Sequence, residues 1–209
     1  MNYRPITDFW ILGRQKVNYY GAFPSGFLER ARELLCGIED ICWQLPGGMV
    51  RKYNDVRIGG KDSPARLSGF GVNDVTFDLA EECKPDILCD LNRMPEWGGD
   101  SQDIYGEKID GSTFSLIRPK AILIDLPYTP DDADRYAPKR DKLPKLNTVF
   151  QNALRMVEPG GRVGVLDYMW PSPGKIKAKE TAAVGVSVGR NSRIRIFSVW
   201  KVIKLPEGM

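Results

Sequence analysis

The chain has no histidine, only four cysteines and no long apolar run. Without imidazole, His-based nucleophile triads and the usual general base at neutral pH are excluded, so any chemistry must use other groups. The cysteines Cys36, Cys42, Cys83 and Cys89 include no C-x-x-C pair. A zinc centre would need all four thiolates, so they read as buried reduced thiols, and no metal site is expected. No apolar stretch approaches the ~20 residues that span a bilayer. Residues 1–10 have neither the basic start nor the apolar centre of a signal peptide, which leaves a cytoplasmic protein with no membrane partner as the expectation. Net charge is only +3, too weak a field to argue for nucleic acid by itself.

What is present is a run of short apolar segments that end in acids. At 209 residues the chain can bury one sizeable core, and a single domain over 1–209 is expected, with an N-terminal extension at 1–24. Residues 1–20 mix aromatics and charges without a clear period. From Ser25 the apolar residues Phe27, Leu28, Ala31, Leu34 and Leu35 recur at helical spacing, and Gly37 is a plausible stop. Ile41–Leu45 reads as a buried strand ended by Pro46-Gly47-Gly48, and residues 51–73 as a long polar loop. Val75–Asp78 and Ile87–Asp90 are further strands, each ending in aspartate, and Ala121–Asp125 ends the same way. Residues 96–118 read as a polar insertion. Asn147–Val157 suits a helix, Pro159-Gly160-Gly161 stops it, and Arg162–Asp167 follows as a strand. Ala182–Val188 and Ile194–Val202 flank Gly189–Ser192 as a β-hairpin. Parallel strand units followed by one hairpin imply an α/β sheet that is parallel except at one edge. Ligands of such sheets sit beyond the carboxyl ends of the strands, where Asp78, Asp90 and Asp125 would meet.

Asp125-Leu126-Pro127-Tyr128 is the densest cluster of chemistry-bearing residues. An acid, a rigid proline and an aromatic at a strand end can grip a flat ring that carries an amine. The segment is similar to the D-P-P-Y motif of enzymes that methylate exocyclic amines of adenine or cytosine. Val157-Glu158-Pro159-Gly160-Gly161 resembles the L-x-P-G-G that precedes the fifth strand across the class I S-adenosylmethionine-dependent methyltransferases. The order of features from about residue 20 to residue 202 resembles that superfamily. The resemblance implies a Rossmann-like three-layer sandwich: a mostly parallel seven-stranded sheet whose C-terminal hairpin supplies an antiparallel strand. It also implies S-adenosyl-L-methionine as cofactor.

Carried over residue by residue, the resemblance places Pro46, Gly47 and Gly48 in the glycine loop facing the cofactor's methionine and ribose. A simple turn would use the same residues. Asp78 with Leu79 stands where an acid holds the ribose hydroxyls, and Asp90 with Leu91 where an acid and an apolar neighbour hold the adenine. Each aspartate alone also suits a helix cap or a turn. Tyr20–Pro24 corresponds either to the segment covering the methionine end or to a staple for the first helix. Asp125, Leu126, Pro127 and Tyr128 fall at the catalytic turn, where Leu126 replaces the usual proline. Asp125 and the Leu126 carbonyl would accept the amine's two N–H bonds, and Tyr128 would stack on the ring. The implied substrate is a nucleic-acid base, adenine N6 ahead of cytosine N4 and DNA ahead of RNA. The basic clusters Lys139–Lys145 and Arg190–Arg195 would add phosphate contacts. A methyltransferase acting on RNA or a small molecule, and a degenerate fold serving as a binding module, are the alternatives.

Overall fold

A computed structural model describes residues 4–14, 23–50, 71, 73–96, 98, 102–127, 143–189 and 193–204. Among these residues the strands are β1 (Ile6–Leu12), β2 (Cys42–Leu45), β3 (Val75–Asp78), β4 (Ile87–Leu88), β5 (Asp103–Glu107), β6 (Thr113–Ile117), β7 (Ala121–Ile124), β8 (Arg162–Asp167), β9 (Lys177–Val188) and β10 (Arg195–Lys204). Helix α1 spans Phe27–Leu35 and α2 spans Leu146–Met156. Eight strands form one sheet in the order β1-β9-β10-β8-β7-β2-β3-β4, and β5 and β6 pair separately. Strand β10 runs antiparallel to both β8 and β9, and the other pairings in the large sheet are parallel.

Alternation along the central strand builds the layers. Ala121 and Leu123 of β7 face a cluster that holds Phe27, Leu28, Ala31 and Leu35 of α1. Ile122 and Ile124 face the opposite cluster, with Val149, Phe150, Ala153 and Leu154 of α2. Successive strand side chains point to opposite faces, and each helix covers one face with its apolar stripe. Gly164 in β8 makes room for α1, because a Cβ there would lie 2.8 Å from the Phe197 ring and 3.1 Å from Leu35. The far end of α2 is closed by Arg118, whose Nη1 donates to the carbonyls of Arg155 and Met156. Gly160 then turns the chain at φ 82°, a left-handed value that favours glycine.

Two expectations need correction. Among the described residues the sheet has eight strands, not seven, because Ile6–Leu12 pairs in parallel with β9 as an edge strand. Its outward residues Ile6, Phe9 and Ile11 are exposed, so burial imposes no clean polar–apolar alternation there. Residues 96–118 are not simply a polar insertion: Asp103–Glu107 and Thr113–Ile117 pair antiparallel and bury Ile104 and Phe114 in the α2-side cluster. The cluster Lys175–Lys179 stands apart from the acids. Lys177 pairs with Lys204, at the amino end of β9 and so at the opposite edge of the sheet. Most of the 51–73 loop lies outside the described residues, as do Tyr20–Ala22. Phe23 stacks on Phe27 at 5.3 Å, fastening the entry to α1. No helix among the described residues is long and apolar enough to cross a membrane.

Candidate functional site at the carboxyl edge of the sheet

Parallel pairing brings the ends of β8, β7, β2, β3 and β4 to one edge in that order. Asp167, Asp125, the Gly47-Gly48 pair, Asp78 and Asp90 therefore follow one another along it. The loop after β2 is locked to the end of β3. The Gly47 N–H donates to the Phe77 carbonyl at 2.7 Å, and the Gly48 N–H to Asp78 Oδ2 at 2.8 Å. A Cβ on Gly47 would lie 2.6 Å from Cβ of Thr76, so this approach needs glycine. Gly48 turns at φ 52° with open space where a Cβ would stand. Pro46 is half-buried.

Asp78 is 5% exposed and accepts two further backbone N–H bonds at Oδ1, from Leu79 at 2.8 Å and Ala80 at 3.0 Å. Burial pushes its carboxyl up from the ordinary value, against the pull of these donors. Three bonds leave about one of the four acceptor positions of a carboxylate for a ligand. Asp90 is half-buried, and its Oδ1 accepts the Asn92 N–H at 2.9 Å. Leu79 is half-buried, whereas Leu91 is packed in the α2-side cluster with its side chain spent on the core.

One strand over, the Asp125 N–H donates to the Leu45 carbonyl at 3.2 Å, fastening the catalytic-turn candidate to the strand that carries the glycine loop. Leu126 is 2% exposed among the α2-side apolar residues, and its burial anchors the turn where the related motif has proline. Pro127 is half-buried. Tyr128 lies outside the described residues.

Three features escaped the sequence reading. The carboxylate of Asp125 lies 3.5 Å from Nη1 of Arg195, with both side chains mostly buried. Arg195 therefore faces the acid, although sequence alone assigns it to phosphates; Lys139–Lys142 and Arg190 lie outside the described residues. Asp167 is buried, and its Oδ1 accepts the Met169 N–H at 2.8 Å. Burial pushes its carboxyl up, while the Met169 and Tyr168 N–H groups and the Arg195 charge oppose the shift. The signal for Asp167 was present, since it ends a strand as Asp78 does. Beyond it, Tyr168, Met169 and Trp170 stand exposed at the same edge.

No protein-family model matches the chain, and no curated protein does. Among solved structures it is similar to TrmN from Thermus thermophilus, with TM-score 0.52 and 12% identity over 88% of this chain and 50% of that one. A Streptococcus mutans methyltransferase candidate in complex with SAH superposes at TM-score 0.40 with 14% identity, over 84% of this chain and 95% of that one. An rRNA-methylase candidate from Clostridium thermocellum gives 0.41 and 12%, over 89% and 99%. The likeness to TrmN shows a shared fold, and this chain spans about half the length of that protein.

Proposed function

We propose that the protein transfers a methyl group from S-adenosylmethionine to an exocyclic amine of a nucleic-acid base, adenine N6 ahead of cytosine N4. The observation that carries this reading is the hydrogen bond from the Asp125 N–H to the Leu45 carbonyl. It holds an acid suited to an amine beside the loop suited to a sulfonium nucleoside. On the cofactor side, the remaining acceptor position of Asp78 fits a ribose hydroxyl, and the open space beside Gly48 admits the ligand's methionine end. Asp90 fits a hydrogen-bond donor on the adenine. The bound cofactor supplies an electrophilic sulfonium methyl.

The work of the chain is to prepare the amine. An aromatic exocyclic amine is a poor nucleophile because its lone pair is delocalised into the ring. Asp125 accepts one N–H, favouring a pyramidal nitrogen and aiming the lone pair, and the Leu126 carbonyl suits the other. The amine would shed one proton on methylation, and Asp125 would be the group placed to receive it.

A second reading, a fold used only for binding, is favoured by one fact: both N–H groups of the Gly47-Gly48 pair are already spent on β3. Calorimetry with S-adenosylhomocysteine separates the two. The decisive assay incubates the protein and labelled cofactor with separate pools of RNA, single-stranded DNA, duplex DNA, nucleotides and protein. Label is expected in a nucleic-acid pool, and Asp125→Ala is expected to lower transfer about 10²- to 10³-fold, with S-adenosylhomocysteine binding retained. Label confined to protein or small molecules would remove the base assignment, and absence of cofactor binding would leave the binding fold.

A further inference from the structure

Tyr168, Met169 and Trp170 are consecutive, large and open to solvent, at 40, 68 and 47% exposure. They follow the end of β8, beside the strand that ends at Asp125. The turn that carries them is fastened at both sides. Asp167 Oδ1 accepts the Met169 N–H at 2.8 Å, within the turn itself. Beyond them Pro171 is buried, the Ser172 N–H donates to Asn147 Oδ1 at 2.9 Å, and Gln151 Nε2 donates to the Ser172 carbonyl at 3.1 Å. Both of those partners belong to α2. An exposed ring on a backbone held this way binds with little further loss of conformational freedom.

The register connects this turn to the acid. Strands β8 and β10 pair Asp167 with Ile196, so one further step sets Arg195 level with Tyr168. Arg195 in turn reaches Asp125. Aromatic turn, guanidinium and strand-end acid are thus contiguous. The two elements that hold this turn each begin beside an exposed cation, Arg193 ahead of β10 and Lys145 ahead of α2. Exposed rings on a turn whose neighbouring elements carry cations suit a base with its phosphates better than an apolar protein surface.

We infer that Tyr168 and Trp170 form a stacking platform for an unpaired nucleobase, which makes single-stranded nucleic acid the form that the site takes. The inference rests on the proposed function, in that the turn is read as the substrate side of the same edge. A paired base inside a duplex has both faces covered by its neighbours and offers none to these rings.

The test measures binding of fluorescein-labelled 12-nucleotide single-stranded RNA, single-stranded DNA and the matching duplex by anisotropy, at one fixed salt concentration. Wild type, Trp170→Ala, Tyr168→Ala and Trp170→Phe are compared, with S-adenosylhomocysteine calorimetry on each. The expected result is a preference for a single strand over the duplex. Each alanine variant should weaken single-strand binding about 5- to 150-fold, and Trp170→Phe should retain most of it. Whichever of the RNA and DNA arms binds tighter identifies the source of the base. Alanine variants that bind like wild type, a duplex preference, or no binding of any strand would overturn the platform. If S-adenosylhomocysteine binds while the oligonucleotides ignore both substitutions, the platform falls and methyl transfer stands. If oligonucleotide binding depends on Trp170 but S-adenosylhomocysteine never binds, methyl transfer falls and the platform stands.

Discussion

Strand β3 has a buried aspartate at each end, and the two are satisfied by different means. Asp74, just ahead of the strand, meets Arg32 Nη1 at 2.6 Å and also accepts from Gln44 Nε2 and the Gly71 N–H. The same guanidinium donates to the carbonyls of Gly37, Ile38 and Asp40, tying the end of α1 to the loop before β2. Asp78, the last residue of the strand, accepts only backbone N–H bonds in the contacts described for it. The amino end is therefore a closed staple in which charge meets charge. Burial pushes both carboxyls up, Asp74 against its Arg32 partner and Asp78 against backbone N–H groups, and Asp78 has an acceptor position left over. The paired end ties α1 to the sheet, whereas the acid at the carboxyl end keeps capacity for a further hydrogen bond.

The sharpest way to break this comparison is Arg32→Ala. It strands the Asp74 carboxylate in the interior and should cost about 3–5 kcal/mol in urea unfolding. Arg32→Lys should cost less, since an ammonium still reaches a carboxylate but cannot serve the three carbonyls. S-adenosylhomocysteine affinity, measured below the melting point, should change little in either variant. A tenfold loss of affinity would mean that the two ends of β3 are not separate in purpose.

Gly47→Ala acts at the other end. Its Cβ would lie 2.6 Å from Cβ of Thr76, so Thr76 or the loop must shift. Unfolding should cost about 1–3 kcal/mol, with a loss of cofactor affinity out of proportion to that cost. Calorimetry beside urea titration checks both.

The smallest effect is the pH dependence of Asp78. Burial raises its carboxyl in the folded state. Its contribution to stability is therefore full below the ordinary carboxylate value of about 3.9 and is lost as pH rises through the elevated one. The stability of wild type relative to Asp78→Asn should fall as pH rises through the elevated value. Melting temperatures of both proteins through it provide the check, and a difference that grows with pH would contradict the assignment.

Much of this was legible before any coordinates, for reasons particular to each element. Strand β8 is bounded by Gly161 and its own Asp167, and the sequence reading of Arg162–Asp167 coincides with it. Helix α2 shows its apolar stripe because only one face is covered. The edge strand β1 was not legible, since it has one neighbour and leaves Ile6, Phe9 and Ile11 in solvent, which erases the two-residue period. The β5–β6 pair was hidden for a similar reason: its buried Ile104 and Phe114 lie among polar neighbours whose side chains face outward.

At the site, chain order and local pattern alone put Asp78 and Asp90 after buried strands and Gly47-Gly48 after another, because alternation and turn chemistry are properties of neighbours in sequence. Which acid meets a cation was decided only by the tertiary structure. Asp125 and Arg195 are far apart along the chain, and they approach because β10 runs antiparallel to β8 while β8 lies parallel beside β7. The aromatic turn at Tyr168–Trp170 likewise takes its place from the packing of Ser172 against α2. Contacts of this kind depend on strand register and helix docking, which belong to the folded chain as a whole and to no single segment of it.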